Sequence, residues 1–273
     1  MALSRPKIET ISLRKSYRHG RQMVAVLDGI SLHAQPGEFV SIIGPSGSGK
    51  STLFNIAAGL EMPDAGEIRI DGEIATGKRE KCAYMPQKDL LFPWRKVIDN
   101  TVLGLEIQGM RKKQARAKAA PLFATFGLTG FENAYAFQLS GGMRQRAALL
   151  RTVIQDRSVL LLDEPFGALD SLTRTSMQAW LTQVWETYEW TVLLVTHDIQ
   201  EAVFLSDRVY VLTRRPARID LVVEIALPRP RSLGMLGSPE FAHFEKQLFQ
   251  ALVERQVAPS DASLRATSQH VAG

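Results

Sequence analysis

Cysteine is all but absent from this chain: Cys82 stands alone among 273 residues. A lone thiol forms no intrachain disulfide and no cluster of thiolate metal ligands, and it suits a reducing compartment. Long apolar runs are missing as well. The longest stretches, such as Val159–Leu162 and Val192–Val195, fall far short of the ~18 residues a membrane span requires. With Lys7 and Glu9 among its first ten residues, the start does not resemble a secretory signal. The expectation is a chain that neither crosses a membrane nor is exported through one.

What is present is core material. Apolar residues make up 45% of the chain and charged ones 22%, with only 13 prolines, which argues against wholesale disorder. At roughly 150 residues per domain the length suggests one or two domains. Basic residues outnumber acidic ones by 33 to 28. That surplus suits anionic partners, whether nucleic acid, acidic lipid or phosphorylated ligands, without choosing among them. Two basic knots, Arg111–Lys118 and the trio Arg214, Arg215 and Arg218, read as a solvated helix face and a solvated turn.

The first hundred residues read as strands and turns. Ile8, Ile11 and Leu13 begin the pattern, Val24–Leu32 follows, and Phe39–Ile43 lies between Gly37 and Gly44. Glu67–Ile70 and Cys82–Met85 are two more candidate strands, parted by the turn signals Asp71-Gly72 and Thr76-Gly77. From about Val97 the pattern is helical: Lys112–Phe126 is rich in helix formers, with Pro121 placed to kink or split it. Another helix is expected over Gly141–Gln155. Strands Val159–Leu162, Thr191–Val195 and Arg208–Leu212 then alternate with helices Leu172–Tyr188 and Ile199–Leu205, the signature of a parallel sheet flanked by helices. Near the end Phe241, Phe244, Leu248 and Leu252 recur at helical spacing behind Ser238-Pro239-Glu240. Beyond Pro259 the residues are small and polar, and fraying is expected.

Residues 44–52 carry the first chemistry. They read Gly44-Pro45-Ser46-Gly47-Ser48-Gly49-Lys50-Ser51-Thr52 and match the phosphate-binding pattern G-x-x-x-x-G-K-[ST] at every fixed position. A strand leads in, and Ser51–Leu60 reads as a helix. The glycines let the backbone wrap closely with N–H groups inward, and the helix N-terminus adds its dipole toward a bound anion. Lys50 can reach the β- and γ-phosphates, and the Ser51 hydroxyl can ligate Mg²⁺. Such a loop works with a carboxylate at the end of a buried strand, and Val159–Leu162 runs into Asp163 and Glu164. Asp163 is placed to hold Mg²⁺, and Glu164 to polarise an attacking water as general base.

Residues 139–146, Leu-Ser-Gly-Gly-Met-Arg-Gln-Arg, put Ser140 23 positions before Asp163. Here the sequence resembles the ATP-binding-cassette family, whose LSGGQ-like signature stands shortly before the acidic strand. Ser140, Gly141 and Gly142 at a helix start make a second anion-binding concavity. The resemblance implies two chains set head to tail, each presenting this segment to the γ-phosphate held by the other. Met143 departs from the commonest glutamine. The resemblance also implies roles for four further residues. Tyr17 is similar to the aromatic that stacks on adenine, and Gln87 to the glutamine that touches Mg²⁺ and the attacking water. Asp170 resembles the loop aspartate that crosses the dimer interface, and His197 the histidine at the γ-phosphate.

The implied fold is an α/β P-loop NTPase of cassette type, with a RecA-like parallel-sheet core, an antiparallel β subdomain and a helical subdomain over roughly 90–157. The cassette would span about 5–230, followed by an extension over 231–273 holding one amphipathic helix and a flexible end. A finer resemblance covers Leu90–Asn100, Leu212–Ile219 and Pro228–Arg231, which look like the nitrate, sulfonate, taurine and thiamine-precursor importer branch. It implies an ATP-hydrolysing, Mg²⁺-dependent homodimer on the cytoplasmic face of the inner membrane. Its partners would be permease subunits and, indirectly, a solute-binding protein. Phe92, Pro93 and Trp94 either fill a core or line a docking cleft for a short helix of the membrane partner. The rival is a soluble ATPase of this family acting on nucleic acid or ribosomes. Lys50 and Ser140 are only 90 residues apart, with no heptads between them and one cysteine in the chain, so no long insert fits there and nucleic acid is not expected. A nucleotide kinase sharing the phosphate loop accounts for neither Leu139–Arg146 nor His197.

Overall fold

The computed structural model describes residues 5–257. The chain end past residue 257, where the sequence suggests fraying, lies outside the described residues. Two sheets form the frame. The first has five strands: β1 (Ile8–His19), β2 (Gln22–Ile30), β3 (His33–Ala34), β5 (Ala65–Ile70) and β6 (Glu73–Ile74). Their order is β2-β1-β5-β6 with β3 on β1, and every pairing is antiparallel. The second has six strands in the order β11-β10-β4-β9-β8-β7. These are β4 (Phe39–Ile43), β7 (Cys82–Met85), β8 (Val159–Asp163), β9 (Thr191–Val195), β10 (Arg208–Leu212) and β11 (Ile219–Glu224). All pair in parallel except β10 with β11.

The parallel strands are predominantly apolar because both faces are covered, and Ser41, buried in β4, is bonded to Ser206. Phe39, Ile43, Leu160, Leu162, Val192 and Leu194 point into one core. Their neighbours Val40, Ile42, Val159, Leu161, Leu193 and Val195 point into the other, as the two-residue period of a strand demands. The second core also takes Ile8, Leu13, Ile30 and Ile68 from the antiparallel sheet and Leu53 and Phe54 from α1 (Lys50–Ala57). So the two sheets share one hydrophobic layer with α1 within it.

Several elements depart from their sequence-based expectations. Cys82–Met85 does not belong with the β-rich start: it is the far edge of the parallel sheet, beside β8. Strand β11 has alternating, half-exposed residues and no continuous apolar run to announce it. Helix α1 stops at Ala57 rather than Leu60, since Gly59 takes a left-handed φ of +69°. Pro121 splits its stretch into α4 (Lys112–Ala119) and α5 (Leu122–Thr125). With α2 (Val97–Thr101), α3 (Leu103–Ile107) and α6 (Gly141–Val153), these build the helical part. The Arg111–Lys118 knot is not merely solvated. Arg116 donates twice to buried Asp99, at 2.8 Å each, and Lys112 lies 3.1 Å from the same carboxylate, which holds Asp99 below the usual carboxylate range against the opposing pull of burial.

Helices α7 (Ser171–Tyr188) and α8 (Ile199–Leu205) complete the parallel-sheet layer. Helix α9 (Pro239–Val257) starts at Ser238, whose hydroxyl accepts the Phe241 N–H at 3.2 Å. Its Phe241 and Leu248 are fully buried in the first core, with Phe244 and Leu252 packed at its margin. Among the described residues no helix is long and apolar enough to cross a membrane. Cys82 is buried, and burial pushes its thiol up to about 12.

Candidate active site

The glycine-rich loop leaves β4 at Gly44 and enters α1 at Lys50. A side chain at Gly44 would sit 3.0 Å from Leu212 Cβ, and one at Gly49 2.8 Å from Val26 Cγ1. Gly49 also has φ +108°, a conformation only glycine adopts without strain. Gly47 has a left-handed φ of +75°, so steric room or backbone angle accounts for all three glycines independently of any ligand. The Lys50 ammonium donates to the carbonyls of Gly44 at 2.8 Å and Pro45 at 3.0 Å. Burial lowers its pKa, partly offset by Glu164 and Asp163. Ser48 Oγ is buried with no protein partner, a hydroxyl in the loop that an anionic ligand could use. Ser46, Gly47, Gly49–Thr52, Glu164 and Arg215 line a cavity of about 200 Å³ around this lysine.

The acids come from β8. Asp163 is its last residue, pairing in register with Val195 of β9. Burial raises its pKa, while a hydrogen bond from Tyr84 and another with Ser51 pull it down. Tyr84 OH lies 3.2 Å from Oδ2. Ser51 and Asp163 therefore offer a hydroxyl and a carboxylate side by side, hard oxygen donors of the kind that Mg²⁺ takes together with substrate phosphates. The residues present fit that ion.

Glu164 follows with φ +46°, and its N–H donates to the Val195 carbonyl at 2.8 Å. That left-handed turn is costly for a residue with a Cβ. It brings the side chain over β9, two residues before His197. His197 Nδ1 is 3.4 Å from Glu164 Oε2, and Gln87 Nε2 donates to the same oxygen at 2.9 Å. Parallel pairing explains the meeting: β7, β8 and β9 lie side by side, so residues just past their C-terminal ends, 87, 164 and 197, gather at one edge, where open α/β sheets bind ligands.

Tyr17 stands at the rim, 38% exposed, with its hydroxyl 2.7 Å from Glu61 Oε2 and 3.4 Å from Thr52 Oγ1. Its ring is open to solvent beside the first turn of α1, with Lys15 Nζ 5.4 Å from the centroid.

Four sequence-selected residues stand instead at the starts of two other helices, α6 and α7. Ser140 caps α6, accepting the Met143 N–H at 3.3 Å, and Asp170 caps α7, accepting the Thr173 N–H at 3.0 Å. A Cβ on Gly141 would touch Leu169 at 3.4 Å and one on Gly142 would meet Thr173 at 3.0 Å. The signature residues and the Asp170 loop thus pack into one surface, apart from the phosphate loop of the same chain.

Sequence reasoning missed Tyr84, Arg214 and Arg215. Tyr84 carries the expected strand alternation, but its reach to Asp163 depends on β7 lying beside β8. Arg214 and Arg215, read as a solvated turn, are exposed yet stand against Pro45–Ser48. The third member of that knot, Arg218, pairs with Asp28 at 2.5 Å.

A phosphate loop on a parallel sheet, backed by a buried strand ending in two acids, defines a P-loop nucleotide hydrolase. The separate capped-helix surface with Ser140 and Asp170 narrows the class. The ABC transporter family matches residues 27–167, and the chain belongs to that family. It is 50% identical over 191 residues to the formylaminopyrimidine import ATP-binding protein ThiZ of Halalkalibacterium halodurans, covering 70% of this chain and 74% of that one. It is 38% identical over 261 residues to the nitrate import ATP-binding protein NrtD of Synechocystis, covering 93% and 98%. Among solved structures, the dimeric bacterial ABC transporter cassette MJ0796 matches with a TM-score of 0.71 and 31% identity, over 81% of this chain and 100% of that one. The same cassette has been captured as a dimer after hydrolysis, bound to ADP and Pi. The chain is an ABC-type ATPase.

Proposed function

We propose that this chain is the ATP-hydrolysing subunit of a bacterial importer for nitrate, a sulfonate such as taurine, or a thiamine pyrimidine precursor. Two copies work head to tail on the cytoplasmic face of the inner membrane, beneath permease subunits that are fed by a solute-binding protein. The observation that carries the reading is the convergence of Gln87 and His197 on one carboxylate oxygen of Glu164, beside the Lys50 cavity.

In this reading the loop Gly44–Thr52 wraps the triphosphate, Lys50 neutralises its β- and γ-phosphates, and the Tyr17 ring receives the adenine. Ser51, Asp163 and Gln87 hold Mg²⁺, which when bound neutralises phosphate charge. Glu164 accepts a proton from the attacking water, while Gln87 and His197 orient its carboxylate. Ser140, Gly141, Gly142 and Asp170 serve the nucleotide of the other copy. That fits their position on a separate surface, because a γ-phosphate shared between two half-sites draws the copies together and its loss releases them.

Coupling to the membrane runs through an apolar groove of about 620 Å³ that includes Leu60, Tyr84, Leu90, Leu91, Phe92 and Leu103. Phe92 and Trp94 are stacked 5.1 Å apart, and Trp94 is 73% exposed. They do not fill a core, which favours a docked helix of the permease. Asp89 and Leu90, just past Gln87, offer their carbonyls to Arg151 of α6, so a load on the groove is felt by the signature helix. The test is transport: a strain lacking the gene should lose uptake of one of the three solute classes, with recovery by the wild-type gene and not by Glu164→Gln. Unchanged uptake of all three would overturn the cargo assignment, and recovery by Glu164→Gln would overturn the ATP-driven role.

A further inference from the structure

The outer side of the phosphate loop carries two cations that the reading above leaves unused. Arg214 and Arg215 lie on the loop joining β10 to β11, against Ser46 and Gly47. Arg215 Nη2 is 3.8 Å from the position a Cβ on Gly47 would occupy. The loop is pinned: Thr213 N–H donates to the Arg218 carbonyl at 3.0 Å, and Ala217 N–H to the Val26 carbonyl at 2.8 Å. Among the described residues neither guanidinium has a carboxylate partner, whereas Arg218 of the same loop is paired with Asp28.

Two guanidiniums with no carboxylate partner, held against the phosphate loop, offer their charge to an anion bound there. Arg215 lines the same cavity as Lys50 and Glu164. It thus shares one cavity with the acid that would activate water, and a terminal phosphate bound there would face both. A guanidinium there can take two phosphate oxygens at once, which an ammonium cannot.

We propose that Arg215, supported by Arg214, is a further nucleotide-binding residue that grips the γ-phosphate from the outer side of the loop, opposite Lys50. The chain would thereby distinguish ATP from ADP before any second copy joins. The inference rests on the nucleotide-site reading of the Lys50 loop.

The test is equilibrium titration of the full chain with mant-ATP and mant-ADP in the presence of Mg²⁺, at protein concentrations where single copies predominate. Arg215→Ala should weaken mant-ATP by about 10- to 100-fold, the range of one charge-assisted phosphate contact, and leave mant-ADP within about twofold. Arg215→Lys should recover part of the loss, and Arg214→Ala should show a smaller one. Both side chains are exposed, so folding is not at stake, and an unchanged melting temperature verifies it. Lys50→Ala is the control for the underlying reading, since it should weaken both nucleotides. Unchanged mant-ATP affinity in Arg215→Ala would overturn the proposal. So would an equal loss of both nucleotides, or a defect confined to dimer formation in the Glu164→Gln background, which would give the arginines to an acid of the second copy.

Discussion

Gln87 donates its side-chain amide to Oε2 of Glu164 across 2.9 Å. The residue between β7 and the apolar groove therefore touches the acid that ends β8, and a displacement of one shifts the other. Glu164 is also held from below by its N–H bond to Val195. Its position is thus set by the sheet, and its orientation by Gln87 and His197.

Replacing the acid separates binding from chemistry. Glu164→Gln keeps the shape and the Val195 bond but removes the proton acceptor. Steady-state phosphate release should fall by about 10²–10⁴, the range for loss of a general base. ATP binding should persist, and the ATP-bound dimer should accumulate in size-exclusion chromatography. Wild-type turnover would remove Glu164 from the proton-accepting role.

Lys50 reports on the cradle itself. Its ammonium spans the Gly44 and Pro45 carbonyls, so Lys50→Ala removes both the phosphate charge and a brace of the loop. Nucleotide affinity measured by fluorescence titration should drop at least tenfold, the effect of losing one charge-assisted contact of ~1.5–3 kcal/mol. Unchanged affinity would place the phosphates elsewhere.

Ser140 is tested through cooperativity. Its hydroxyl caps α6, so Ser140→Ala costs roughly 0.5–2 kcal/mol of local stability. Ser140→Asn, another good cap, controls for that loss. ATP binding to single copies should be intact in both variants, while hydrolysis becomes slower and loses its sigmoidal dependence on ATP. Full cooperative activity in Ser140→Ala would argue against a site shared between copies.

The parallel-sheet strands were legible because burial on both faces leaves mostly apolar residues between their glycines and acids. Phe39–Ile43 and Val159–Leu162 read as strands for that reason, and both lead straight into the phosphate chemistry. What escaped was neighbourhood. Cys82–Met85 is too short to reveal whether its partner is β5 or β8, and only that pairing brings Tyr84 to Asp163. Ile219–Glu224 alternates weakly because one face is open, and it carries no continuous apolar run to mark it as a strand. Arg214 and Arg215 form a charge knot in sequence. Their approach to Gly47 depends on β10 lying beside β4, a contact across more than 160 positions that no local pattern encodes.

Glu201 gives the fold a pH dependence separate from the active site. It lies in the first turn of α8, 3% exposed, with Gln178 Nε2 3.4 Å from Oε2 and no partner on Oε1. Burial pushes its carboxyl up to about 8 from the usual 4.5, and Asp198 adds to the rise. Hydrogen bonds with Gln178 and Thr196 and the charge of Arg174 oppose it. Between those two values the folded chain keeps a proton that the unfolded chain has released, so folding loses stability as pH climbs. This group's contribution is complete below about 4.5 and is spent once pH passes about 8, with a total on the order of a few kcal/mol. Glu201→Gln carries a permanent neutral amide of the same shape. Urea midpoints measured from pH 5 to 8.5 should fall with pH in the wild type and run flatter in the variant, the gap widening toward the alkaline end. Parallel curves would show that Glu201 ionises in the folded chain as it does in the unfolded one.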